Sequence, residues 1–227
     1  ALSKQDRLND HVVFPRVNDR ESGHLLKDLQ ELSIPGVDGF MYPKSETSRD
    51  VYFVSRLVET IEYERGFDVG RFSLIPLIET ASAVLNAESI AKESNRVSAI
   101  AYGCEDFVAD IQGVHDNEHN SLFFPRALIA MAARAAGVTP IDTVHIDVHD
   151  LEDLKQNLKT AKTLGFGGML VLHPKELPVV HEYFTPSQKE VEHANKVVRL
   201  ADEVGEEGPL STESSLVLRW FGKPGIC

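Results

Sequence analysis

Cysteine is almost missing from this chain: two occur among 227 residues, Cys104 and the terminal Cys227. They form no disulfide framework, so a reducing, intracellular setting is expected, the cytoplasm or the mitochondrial matrix. Long apolar runs are missing as well, and none approaches the ~20 residues of a membrane span. The opening ALSKQDRLND lacks the apolar centre of a secretory leader. Positive charge is scarce, with a formal net charge of −12. That argues against bulk binding of nucleic acid or an anionic membrane, and leaves room for a local basic pocket around a phosphorylated ligand. No P-loop, no G-x-G-x-x-G turn and no Cys/His zinc spacing occurs.

What is present is ordinary globular material, 42% hydrophobic and 26% charged, enough for one large core or two small ones. Six apolar runs read as strands: 11–17, 39–43, 73–78, 97–102, 143–148 and 168–172. Helical spacing fills the gaps. Ser22 can cap a helix over 23–32, and Thr47 can start one carrying Val51, Val54, Val58 and Ile61. A helix is expected over 80–93, and another over 126–136, with Pro125 at its first position and Gly137 at its C-cap. Asp150 can cap 151–164; a short helix follows over 176–183 and a long amphipathic one over 187–204. Residues 107–119 read as an acidic loop. The expected organisation is one (β/α) barrel domain over 1–204 and a loose tail over 205–227.

Alternation on this scale means an α/β fold with a parallel sheet. Arg16, Lys44, Glu79, Asp106 and His173 follow strands, which places them on the C-terminal face where barrel enzymes carry their sites. A doubly wound sheet would also gather ligands at strand ends, but no glycine-rich turn follows the first strand. Glu79 and Asp106 end neighbouring strands and should face each other. Two carboxylates ~4 Å apart repel by ~1 kcal/mol in water and ~4 kcal/mol at an effective dielectric near 20. A proton or a cation between them relieves this, and Mg²⁺ suits a site with only two protein carboxylates. Two solvated acids would give the same spacing.

The motifs resemble those of a known family, the citrate lyase beta-subunit-like carbon–carbon lyases, which include malyl-CoA and citramalyl-CoA lyases. The resemblance rests on an ordered set: Phe14-Pro15-Arg16-Val17-Asn18, Pro43-Lys44, Leu77-Ile78-Glu79-Thr80-Ala81, Gly103-Cys104-Glu105-Asp106-Phe107, Arg126 and the 132–137 run. It continues through Ile141-Asp142, the 164–168 run, His173-Pro174 and Phe184-Thr185-Pro186-Ser187. It implies a TIM (β/α)₈-type barrel, incomplete here with six strands recognisable, assembled as a homo-oligomer, a trimer or a hexamer. It implies Mg²⁺ held by Glu79 and Asp106, and an enolate oxygen stabilised by Arg16. The amides of Cys104, Glu105 and Asp106 would hold the carboxylate of a 2-oxo acid, with an acyl-CoA as the second partner.

The family pattern has two strands ahead of the Arg-Val-Asn strand and a C-terminal Ile-Asp segment; neither is recognisable here. The expected function is Mg²⁺-dependent cleavage of citryl-, malyl- or citramalyl-CoA to an acetyl thioester and a 2-oxo acid. The alternatives are a metal-dependent aldolase on a free hydroxy-oxo acid and a non-catalytic binding or regulatory homologue.

The same residues have plainer readings. Arg16 could make a surface ion pair worth under about 1 kcal/mol. Lys44 could bind substrate at the barrel mouth or pair with Glu79. His173 reads as a packing histidine, and His115 and His119 as members of a solvated loop. Cys104 reads as a small filler, with no base nearby to activate it.

Overall fold

A computed structural model describes residues 11–115 and 120–204. They fall into two compact units, one ending at His181 and one beginning at Glu182. In the first, five strands form a parallel sheet in chain order: β1 (Gly39–Tyr42), β2 (Ser73–Ile78), β3 (Ala99–Tyr102), β4 (Thr139–Asp142) and β5 (Gly168–Met169). The segment expected as the first strand is extended and lies along β1. Arg16 bridges Met41 in parallel, and Val17 N–H donates to the Met41 carbonyl at 3.0 Å. Helices intervene: α1 (Leu25–Leu32), α2 (Ser48–Arg65), α3 (Ala81–Leu85), α4 (Ala87–Lys92), α5 (Cys104–Asp110), α6 (Asn120–Ala136), α7 (Leu151–Leu164) and α8 (Leu177–Phe184). The second unit contributes α9 (Gln188–Val204). Strand order without reversal is the winding of a (β/α)₈-type barrel, not of a doubly wound sheet. Among the described residues no helix is long and apolar enough to cross a membrane.

Side chains alternate across each strand. One set, Ile75, Leu77, Ala99 and Ala101, forms the inner cluster, with Phe14, Met41, Ile141 and Leu170 packed against it. The other set, including Leu74, Ile78 and Ile100, is buried on the opposite face, where α4 and α6 meet β2 and β3.

Several elements differ from expectation. The fifth run, 143–148, is not a strand; β4 lies just before it. Pro140 disguises β4, since proline is rare inside sheets. It is tolerated because its carbonyl accepts from Gly167 N at 2.9 Å. Its missing N–H therefore faces β5, where pairing starts only at Ile141↔Gly168. The alternation that mimicked a strand comes from Thr143 and His145, which are buried in the loop that follows. The sixth run pairs only at Gly168–Met169. Pro125 sits inside α6 rather than at its start, and 80–93 divides at Asn86 into α3 and α4. Residues 104–110, expected partly as loop, form α5; Glu105 and Asp106 in its first turn suit the positive end of the helix dipole. Asp19, not Ser22, caps the turn ahead of α1, accepting from Ser22 N at 2.9 Å. Thr47 and Asp150 begin α2 and α7 as expected.

At the N-terminal edge of the sheet, Glu62 and Arg96 form a buried bidentate pair at 2.7 and 2.5 Å. Glu62 also accepts from Gly70 N and Phe72 N. Burial alone would push its carboxyl up, but the Arg96 bonds and the two amides outweigh it and hold it below the ordinary 4.5. Its contribution to stability is therefore in place above that pH and is lost as pH falls through the lower, folded value. Arg96→Met should cost about 3–5 kcal/mol, because it strands a buried charge. Denaturant unfolding at pH 7 checks this, and a change under 1 kcal/mol would contradict it.

Candidate active site at the strand ends

The inner face of β2 runs Ile75, Leu77 and then, two residues on, Glu79. That parity carries the Glu79 carboxylate into the mouth of the sheet while leaving it 2% exposed. Lys44 N–H donates to its Oε2 at 2.9 Å. Arg16 Nη2 lies 3.7 Å from its Oε1, the Arg16 side chain being 57% exposed. Gly103 stands beside it at the end of β3: a Cβ there would come within 2.7 Å of Glu79 Cγ. Only glycine lets the two strand ends close around this carboxylate.

Asp106, in the first turn of α5, faces Glu79. Burial is the largest influence on Glu79 and pushes its carboxyl up. The Lys44 amide and the Arg16 charge pull it down, while the neighbouring Asp106 carboxyl pushes it up again. The net position is above 4.5. Glu79 and Asp106, paired by strand-end logic, and Arg16, added by the family resemblance, lie close to one another. Among the described residues no cluster of three or more His, Cys, Asp or Glu side chains is arranged to hold a metal. A two-carboxylate set of hard oxygens is nonetheless a donor set that Mg²⁺ accepts, completing its shell with water and substrate.

Lys44 meets Glu79 through its backbone amide and not through its ammonium. Its ammonium lies 3.3 Å from Asp19 Oδ2, which raises its pKa, and it is the backbone amide that binds Glu79. Its φ of 50° is unusual for a side chain of this size; that conformation aims the amide at the carboxylate.

Cys104 is buried, and burial pushes its thiol up to about 11, which suits a small space-filling residue and disfavours the thiolate. Its amide is already engaged, donating to Thr143 Oγ1 at 3.0 Å. Of the three amides expected to hold an anion, those of Glu105 and Asp106 remain. The Glu105 side chain meets His115 Nε2 at 2.8 Å; His119 lies outside the described residues. His173 is a capping residue, its Nδ1 accepting from Lys175 N at 3.1 Å.

Sequence reasoning missed Gly103 and Thr143 as parts of the site. Gly103 could have been singled out by its place at a strand end directly ahead of an acidic pair. Thr143 was hidden by the misassigned strand.

Residues 2–174 match the model of the HpcH/HpaI aldolase/citrate lyase family. The chain belongs to this family. It is 34% identical over 199 residues to citrate lyase subunit beta of Escherichia coli K12, covering 88% of this chain and 66% of that protein. It is 30% identical over 217 residues to the L-malyl-CoA/beta-methylmalyl-CoA lyase of Rhodobacter capsulatus, covering 87% and 68%. Among solved structures it resembles the citrate lyase beta subunit of M. tuberculosis in complex with oxaloacetate and magnesium. That match has a TM-score of 0.64 at 26% identity, covering 75% of this chain and 72% of that one.

A carboxyl with a raised pKa favours the folded state while protonated and disfavours it once ionised, so its contribution is lost as pH rises through the folded value. Glu79→Gln should therefore raise the melting temperature of the metal-free chain at pH 7 to 8, with the gain vanishing toward pH 4. Scanning calorimetry across that range checks it; a variant less stable than wild type at pH 8 would contradict it.

Proposed function

We propose that this chain is a Mg²⁺-dependent carbon–carbon lyase that cleaves a 3-hydroxyacyl-CoA of the citryl, malyl or citramalyl type to an acetyl thioester and a 2-oxo acid. One observation carries the reading: Glu79 and Asp106 face each other at the strand ends with the Arg16 guanidinium beside them. The chemistry named for the two lyase relatives and the oxaloacetate and magnesium of the M. tuberculosis complex support it.

Glu79 and Asp106 would hold the ion. When bound, Mg²⁺ supplies a Lewis acid and a template for the oxo acid's oxygens. The first-turn amides of Glu105 and Asp106 orient the oxo-acid carboxylate. The substrate's 3-hydroxyl gives its proton to solvent as its oxygen becomes the oxo-acid carbonyl; the carbon–carbon bonding pair passes to the thioester fragment as an enolate, which takes a proton from solvent to give the acetyl thioester. Arg16 receives the enolate charge with a fixed, permanently protonated fork, a donor whose value lies in being placed before the charge develops. Homo-oligomeric assembly belongs to the same reading.

Calorimetric titration with Mg²⁺ and then pyruvate, glyoxylate or oxaloacetate should give saturable heats with wild type and none with Glu79→Ala. Equal heats from both would remove the assignment. With malyl-CoA or citramalyl-CoA as substrate, Arg16→Ala should keep the Mg²⁺ heat and lose about 10²–10³-fold in turnover, the range for removing one such donor. Unchanged turnover would place the charge-stabilising group elsewhere.

A further inference from the structure

The function proposed above depends on Asp106 standing opposite Glu79, yet Asp106 is an exposed residue of a short helix. A helix of two turns does not hold itself in water. Its inner residues Cys104, Phe107 and Val108 are buried, which fixes how deep α5 sits. Burial alone does not fix its rotation or its slide along the sheet.

Two side-chain hydrogen bonds, one at each end of α5, join it to neighbouring segments. At the start, Cys104 N–H donates to Thr143 Oγ1 at 3.0 Å. Thr143 is 4% exposed and is itself tied down. Its N–H donates to Asp142 Oδ1 at 2.9 Å, and Asp142 is gripped by Arg126 through Nε at 3.1 Å and Nη2 at 2.5 Å. Arg126 Nη2 also donates to the Asn157 carbonyl of α7 at 3.0 Å. Arg126 and Asp142 are 2% and 0% exposed, so the anchor is a buried ion pair spanning α6, β4 and α7. At the other end, Asp110 Oδ2 accepts from Ala81 N at 2.8 Å. Ala81 opens α3, two residues after Glu79. One bond therefore ties α5 to the end of β4, and the other ties it to the segment that carries the facing carboxylate.

We infer that Thr143 and Asp110 are positioning residues, a two-point clamp on α5 that sets Asp106 against Glu79; the inference rests on the Mg²⁺ reading for its purpose. Partners that orient metal ligands in this way typically alter affinity by 10–100-fold when removed. Thr143 uses its hydroxyl oxygen as the acceptor, so serine can replace it and valine, of the same shape, cannot.

The test combines two readouts on the full chain. Amide hydrogen exchange of the metal-free protein over 103–110 should accelerate in Thr143→Val and return to the wild-type rate in Thr143→Ser. The Mg²⁺ dissociation constant should rise about 10–100-fold in Thr143→Val and in Asp110→Ala, and stay near wild type in Thr143→Ser. If Thr143→Val loses its cooperative thermal transition, Asp110→Ala, at the exposed end, carries the test. Exchange and affinity unchanged in both Thr143→Val and Asp110→Ala would overturn the clamp. Absence of any Mg²⁺ binding by wild type would overturn the functional reading instead, and the exchange measurement would still decide whether α5 is clamped.

Discussion

An ionisable carboxylate held almost out of water at the end of β2 is the constraint around which the C-terminal edge of the sheet is arranged. The chain contains an internal control for what such burial means. Glu62 and Glu79 are both buried, at 0% and 2% exposure, yet their carboxyls are moved in opposite directions. Glu62 has a bidentate guanidinium and two amides, which satisfy the charge within the protein. Glu79 has one amide, a half-exposed guanidinium at 3.7 Å and a second carboxylate in front of it. A buried charge left so incompletely paired is costly to folding, and perturbation of this kind gathers at functional sites. The first glutamate has its charge satisfied within the protein; the second does not.

The two lie at opposite ends of the same sheet. The Glu62–Arg96 pair closes the N-terminal edge around Phe72, the residue ahead of β2. Glu79, Asp106 and Arg16 open at the C-terminal edge, supported by Gly103, the Lys44 amide and the bonds that fix α5. In parallel (β/α) barrels generally, the N-terminal end serves stability and the C-terminal end carries the active site. This arrangement agrees with membership of the aldolase/citrate lyase family and with the fold of the relatives that the chain resembles.

Much of this was legible in the residues. β2 lies where its apolar run placed it, and Glu79 inherits its direction from the alternation of Ile75 and Leu77. Asp106 and Arg16 follow from the rule that parallel strands share one edge. What was not legible depended on backbone detail. Pro140 made β4 look unlike a strand, and the buried loop residues Thr143 and His145 made the wrong stretch look like one. Lys44 suggested a charged role through its ammonium, whereas a positive φ puts its amide to use. The engagement of the Cys104 amide by Thr143 joins residues 39 positions apart, and no local pattern encodes that distance.

The central claim is that a divalent ion belongs between Glu79 and Asp106, with Arg16 alongside. Crystals of the chain grown with Mn²⁺ and pyruvate, measured for anomalous scattering at the manganese edge, test it most directly. The account predicts a strong peak bridging the two carboxylates, within reach of the keto-acid oxygens. A well-ordered site without that peak, or with manganese bound only elsewhere on the surface, would contradict it.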